Sequence, residues 1–166
     1  VLLHSCATLA KMAVDDASRA EIVEEGGVEP LVALCTESDD VTTLSHVAEC
    51  LAGLALHQAC RPTIVEEGAV PALISLIGTP TNGSGPDAQV ASVLLLYATE
   101  ALCNLSLHHA TRPVIVKEGA VTVLGTLCKD CEKPTHAVLR HTGGSVLRHT
   151  RYDRTRRERG QADGSA

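Results

Sequence analysis

The stretch Ile64-Val65-Glu66-Glu67-Gly68-Ala69-Val70-Pro71-Ala72-Leu73 decides how this chain folds, because it occurs three times. An earlier copy reads Ile22-Val23-Glu24-Glu25-Gly26-Gly27-Val28 and runs on to Leu31. A later one reads Ile115-Val116-Lys117-Glu118-Gly119-Ala120-Val121 and runs on to Leu124. Gly26 and Gly68 are 42 residues apart, and Gly68 and Gly119 are 51 apart. A period near 40 residues with apolar side chains at helical spacing denotes stacked helical units, each too small to bury its own apolar face. Such arrays present surface rather than a closed reaction chamber.

The recurrence extends upstream of each copy. Glu49-Cys50-Leu51-Ala52-Gly53-Leu54-Ala55-Leu56-His57 corresponds to Glu100-Ala101-Leu102-Cys103-Asn104-Leu105-Ser106-Leu107-His108 at an offset of 51. At an offset of 42 it corresponds to Ala7 through Asp15. Apolar positions at these spacings make a wide stripe along an amphipathic helix. Each unit then reads as three helices. The first is short: Pro62 and Pro113 suit its opening turn, and Gly68 and Gly119 suit the left-handed residue that closes it. The second runs from about Val70 to Ile77, with Pro71 tolerated in its first turn. The third is the longest, from about Asp40 to His57 and from about Asp87 to His108, with Asp39 or Asp40 and Asp87 as suitable N-caps.

Gly68-Ala69-Val70-Pro71-Ala72-Leu73 and Ala101-Leu102-Cys103-Asn104-Leu105-Ser106 resemble the turn and third helix of the armadillo repeat. The resemblance covers roughly residues 1–132 and implies an all-α, right-handed solenoid of three-helix repeats; a two-helix HEAT-type array is the alternative. Its parts would be a partial repeat at 1–17, a repeat at 18–59, a repeat with a loop insertion at 60–110, and a partial repeat at 111–132. The nine extra residues of the middle unit fall in Gly78-Thr79-Pro80-Thr81-Asn82-Gly83-Ser84-Gly85-Pro86, a polar loop that is tolerated because closure entropy grows slowly with length. The pattern opens at Val1 in mid-helix, as expected of a fragment of a longer array.

Composition narrows the function. Hydrophobic residues make up 45% of the 166, but aromatic residues only 1%, with Tyr97 and Tyr152 the whole set. That argues against gripping single strands by base stacking. Residues 1–132 carry 17 acidic and 6 basic side chains, a net −11, whereas residues 133–166 carry 3 and 8, a net +5. The seven cysteines (Cys6, Cys35, Cys50, Cys60, Cys103, Cys128 and Cys131) lie mostly within apolar helical patterns, as small hydrophobes of a reducing compartment. The expected location is the cytoplasm, with the nucleus as alternative. The longest apolar run, Val90 to Ala98, is far short of the roughly 20 residues that span a bilayer.

The armadillo resemblance implies a concave groove lined by third helices and holding an extended peptide. Three rows would cross it: His4, His46 and Tyr97; Ala7, Glu49 and Glu100; Lys11, Gly53 and Asn104. The partner-binding candidates are therefore His46, Glu49, Gly53, Tyr97, Glu100 and Asn104. Asn104 would either hydrogen-bond a peptide backbone or bond the neighbouring helix. The nuclear-import branch of the family carries a Trp four residues before that Asn, where this chain has Ala7, Glu49 and Glu100. An aromatic ladder for nuclear localisation signals is thus absent, while the glutamates favour a basic peptide.

Cys128, Cys131, His136 and His141 have a spacing that zinc accepts. Against this, Cys128 falls in register with Ile77 and Cys35, both expected to be buried on second helices. His57, His108 and His109 sit at the exits of third helices, where an imidazole meets terminal carbonyls and the helix dipole. No motif places a nucleophile, base and orienting group together, so neither catalysis nor a cofactor is expected. The segment 133–166 repeats Val138-Leu139-Arg140-His141-Thr142 as Val146-Leu147-Arg148-His149-Thr150 and ends in an Arg-rich run. It reads as a disordered basic tail. The expected function is a non-catalytic protein-interaction scaffold or adaptor with no membrane span. The alternative is nucleic-acid or anionic-surface binding through the arginines, and a third reading folds the tail back on the acidic body.

Overall fold

The computed structural model describes residues 1–78 and 86–130, apart from the side chains of Pro86, Asp87 and Asp130. Within these residues there are helices and no strand. They are α1 (Leu2–Met12), α2 (Asp16–Glu24), α3 (Val28–Glu37), α4 (Val41–Leu54), α5 (Arg61–Glu66), α6 (Ala69–Gly78), α7 (Pro86–Ser106), α8 (Arg112–Lys117) and α9 (Ala120–Asp130). A 3-10 turn, Gln58–Cys60, precedes α5. The chain divides into two compact units, Val1–Cys128 and Lys129–Ala166. Of the second, only Lys129 and Asp130, the last residues of α9, are described.

The three-helix period follows from local chemistry. Gly26, Gly68 and Gly119 have φ of +73°, +82° and +84°, the left-handed conformation that ends α2, α5 and α8. Pro62 and Pro113 sit in the first turns of α5 and α8. Asp40, rather than Asp39, caps α4: its carboxylate accepts from the Thr42 and Thr43 amides at 3.3 and 3.1 Å and from the Thr43 hydroxyl. Those bonds to the charged form hold the Asp40 carboxyl below its ordinary value. Asp15 caps α2 in the same way through the Ser18 amide. The N-cap expected at Asp87 lies outside the described side chains.

The core of the first unit is aliphatic. α4 packs most extensively against α7 and then against α1, while α3 and α6 pack on the third helices that follow them, α4 and α7. Val47, Ala48, Cys50, Leu51 and Leu54 of α4 are fully buried, as are Val70 and Leu73 of α6 and Ala98 and Ala101 of α7. Alanines at 48, 98 and 101 let the long helices approach closely without aromatic filler.

Two sequence expectations change. The apolar run in the middle unit is part of a longer helix: Ala88–Ser106, 19 residues of mean hydropathy 1.3, is long and apolar enough to cross a membrane by those two measures. Here it lies against α4 and α6 with Leu94, Ala98, Leu102 and Leu105 in the core. Cys128 is exposed rather than buried, and so is Cys103. In the inner units a third helix covers the second; no such cover lies on Cys128 among the described residues. Residues 79–85 of the loop insertion, the tail, and Cys131, His136 and His141 lie outside the described residues.

A further recurrence escaped the sequence reading. Arg19, Arg61 and Arg112 stand at the same 42 and 51 offsets as the glycines. Each reaches back six residues with Nε to the carbonyl of the residue that leaves the preceding third helix: Ala13 at 2.6 Å, Ala55 at 2.8 Å and Ser106 at 2.8 Å. In the first two, Nη2 also donates to the next carbonyl, Val14 at 2.7 Å or Leu56 at 3.1 Å. Arg19 and Arg61 are buried, and Arg112 is exposed.

Two outcomes follow. Gly68→Val should lower stability by about 1–3 kcal/mol, measured by urea denaturation. No atom lies within 4 Å of the added Cβ, so backbone strain alone sets that cost. A near-neutral Gly68→Val would refute the left-handed corner. Arg61→Met should cost about 1–3 kcal/mol by leaving two carbonyls without donors, and more than Arg112→Met at its exposed copy. Equal midpoints for the two variants would refute the burial argument.

Candidate functional site

The side chains singled out for partner binding lie on α4 and α7. His46, Glu49 and Gly53 fall at i, i+3 and i+7 on α4, and Tyr97, Glu100 and Asn104 do so on α7. Residues so spaced share one helical face. The close packing of the two helices brings four of the six into a polar cluster and assigns the other two to the packing itself.

Tyr97 Oη donates to Glu49 Oε1 at 3.2 Å, across from α7 to α4. His46 Nδ1 lies 3.2 Å from Glu49 Oε2, so one carboxylate is held from two directions. The His46 and Glu49 side chains are 32% and 36% exposed, which leaves them ordered yet open to a partner. Burial, then the charge and hydrogen bond of Glu49, then the charge of Glu100, push the Tyr97 hydroxyl up to about 12. The cluster is therefore acidic and holds its phenol neutral across the physiological range.

Asn104 takes the helix-bonding role of the two expected for it. It is buried, and its Nδ2 donates to the Ala52 carbonyl of α4 at 3.1 Å. The reason lies in the last turn of α4, where the Leu56 amide bonds Gly53 instead of Ala52. Asn104 supplies the donor that the tightened turn withdraws. Gly53 occupies the matching position one unit earlier and solves a different problem. A Cβ there would lie 2.9 Å from the Ala13 carbonyl oxygen, so only glycine lets α4 sit this close to the chain leaving α1.

The other chemistry-bearing groups do not converge. His57 does not meet terminal carbonyls, which Arg61 serves; its Nδ1 lies 3.2 Å from Cys60 Sγ. Burial raises the Cys60 thiol, and burial also raises Cys35 and Cys50 to about 12. These thiols stay protonated, so the Cys60–His57 pair is not an activated nucleophile. His108 Nδ1 has no partner among the described residues, because the place of Cys60 is taken by Thr111, whose hydroxyl donates to Leu105 and His108 carbonyls. Among the described residues no three His, Cys, Asp or Glu side chains are grouped to hold a metal. A cavity of about 510 Å³ between α3, α4, α6 and α7 has Leu44, Leu76 and Leu94 on its walls. Asp39 is its one carboxylate, without the convergent polar groups of a small-molecule site.

Recurring three-helix units, each with a left-handed glycine between its first and second helices and with long third helices packed on one another, define a helical-repeat protein. Residues 15–56, which hold α2, α3 and α4, match the family described as Armadillo/beta-catenin-like repeat. Over those residues the chain is similar to the armadillo-repeat family, and its all-helical fold is consistent with such repeats. No curated protein matches it. The armadillo repeat is in general a protein-interaction module and not an enzymatic one.

The Tyr97 environment has a measurable consequence. In a Tyr152→Phe background, absorbance titration should show Tyr97 ionising near 12, against about 10 for a free phenol. Because the folded value lies above the unfolded one, this group's contribution to stability is complete below about pH 10 and is lost as pH rises toward 12. Glu49→Gln should move the titration down toward the free value. An unchanged midpoint in that variant would remove Glu49 as a cause.

Proposed function

We propose that this chain is a non-catalytic scaffold whose third helices line one groove of a right-handed solenoid and hold an extended partner segment. The observation that carries the reading is the partly exposed cluster of His46, Glu49 and Tyr97, which joins adjacent third helices on a single face. Its carboxylate is oriented by neutral or weakly basic partners rather than by a Lys or Arg. An incoming cation therefore meets a positioned acceptor, and each exposed pair contributes at most about 1 kcal/mol. Affinity then depends on several such rows along the partner. Glu100 extends the acidic row, while Asn104 and Gly53 set the spacing of the helices that carry it. The partner is accordingly a basic protein segment. Protonated, unpaired thiols at Cys6, Cys35, Cys50 and Cys60 suit the cytoplasm or nucleus.

The experiment is a peptide array of extended segments that differ only in charge, probed with the whole chain and with Glu49→Lys/Glu100→Lys. Basic peptides should bind, and the double reversal should weaken them about tenfold or more while the helical signal in circular dichroism is unchanged. Binding that survives the reversal would place the groove elsewhere. Deleting 133–166 separates the alternative: loss of RNA binding together with unchanged peptide binding would assign nucleic acid to the tail, and loss of peptide binding would take it from the groove.

A further inference from the structure

Helix α4 is packed on both flanks, by α1 and by α7, so the face it leaves open is set by neighbours on each side. On that face one carboxylate serves two side chains. Glu49 Oε1 accepts from Tyr97 Oη, and Glu49 Oε2 lies 3.2 Å from His46 Nδ1. An ionised carboxylate only accepts, so the hydrogen of the second bond belongs to the imidazole and sits on Nδ1. Nε2 of the neutral ring is then a bare acceptor. It has no partner among the described residues and is not buried, and the side chain as a whole is 32% exposed. A proton from solvent therefore reaches His46 without breaking its bond to Glu49.

The other ionisable groups around this pair are few. On α7 they are Tyr97, which stays neutral, and Glu100, whose charge acts on that phenol. On α1 the same row carries His4, with Lys11 two turns further on. Helices α2, α3 and α6 also pack on α4. The ionisable side chains they bury are Arg19, held by the Ala13 and Val14 carbonyls and Asp16, and Cys35, whose thiol burial keeps protonated. Among the described residues no Lys or Arg bonds Glu49. Imidazole is the side chain whose charge changes between about pH 5 and 8, and His46 is the imidazole bonded to this carboxylate.

We propose that His46 gates recognition of a basic partner segment by its protonation: the neutral ring leaves the Glu49 charge to the partner, and the imidazolium claims it. This rests on the reading of the cluster as the binding face. With the ring neutral, the partner's cation meets a full negative charge on a carboxylate oriented from two directions. Once Nε2 takes a proton, His46 and Glu49 together carry no net charge, and the imidazolium also repels the incoming cation. Partner binding and protonation therefore oppose each other. The linkage is reciprocal, so a bound basic segment drives the proton off and affinity falls as pH falls through the imidazole range.

The test is calorimetric titration of the whole chain with an Arg-containing peptide that has blocked ends and no Asp, Glu, His or Cys, at about pH 8 and about pH 5.5. The dissociation constant should rise roughly two- to fivefold at the lower pH. Runs at that pH in buffers of different ionisation enthalpy should show protons released on binding. His46→Gln keeps a donor for Glu49 and cannot titrate, so it should bind nearly equally at both values and release none. His46→Lys should hold the weaker affinity at both. His46→Asn replaces His46→Gln should the latter lose its helical signal in circular dichroism. An unaltered pH dependence in His46→Gln would overturn the inference while leaving the groove standing. So would a dependence that His4→Gln abolishes and His46→Gln does not. A peptide that binds at neither pH would bring down the groove reading and this one together.

Discussion

A helix that stops inside a packed array must find donors for its last carbonyls, and in this chain that requirement shapes each corner. At the end of α4 every carbonyl from Leu51 to Leu56 has a donor. Leu51 receives the Ala55 amide, Gly53 the Leu56 amide and Leu54 the His57 amide. Ala52 receives Asn104 from the neighbouring helix, and Ala55 and Leu56 receive Arg61. Burial of these groups away from water would otherwise cost a large fraction of a domain's small net stability. A guanidinium is suited to the place because its planar fork reaches two successive carbonyls and keeps its charge when buried. The Arg thereby ties the end of one unit to the first helix of the next, and the left-handed glycine seven residues later turns the chain into the second helix.

This constraint explains why the two junctions between third helices differ. Between α4 and α7 the row position is Asn104, which fills the gap and satisfies a carbonyl. Between α1 and α4 it is Gly53, against which the Ala13 carbonyl, already held by Arg19, lies too near for any side chain. Identical backbone register thus permits two side-chain solutions, a bonded one and a close-packed one. In both, the position sets the approach of the helices, and the more exposed neighbours His46, Glu49 and Tyr97 remain to face outward. Packing positions and the more exposed polar positions are separated along one helical face by a single turn.

Much of the fold was legible because its signals are local and repeated. Gly26, Gly68 and Gly119, the prolines of the short helices and the Asp40 cap each act within a few residues, and their recurrence at fixed offsets multiplies the signal. Arg19, Arg61 and Arg112 carried the same recurrence, but an arginine on a short helix reads as a solvated charge until its reach to a carbonyl is known. The Asn104–Ala52 bond spans two helices, and sequence left both of its roles open because nothing local shows that Leu56 bonds Gly53 instead. The pairing of Glu49 with Tyr97 was hidden for the same reason: the row logic placed Tyr97 beside His46 and Glu49 beside Glu100, whereas the bond runs diagonally between rows. Burial of Cys128 was misjudged because register predicts the cover a residue would have inside an array, not whether that cover is present.

That last distinction has physical content beyond one cysteine. In a repeat array the stability of a unit is its own contribution plus the contacts with its neighbours. Arg112 shows the consequence. Its Nε keeps the bond to the Ser106 carbonyl at 2.8 Å, as good a bond as that of Arg61, yet the side chain is exposed where Arg19 and Arg61 are buried. The corner bond therefore keeps its geometry whether or not it is buried. Geometry is set locally and the dry environment that strengthens it is set by the neighbour, so the cooperativity of the array resides in burial shared between units rather than in any single bond.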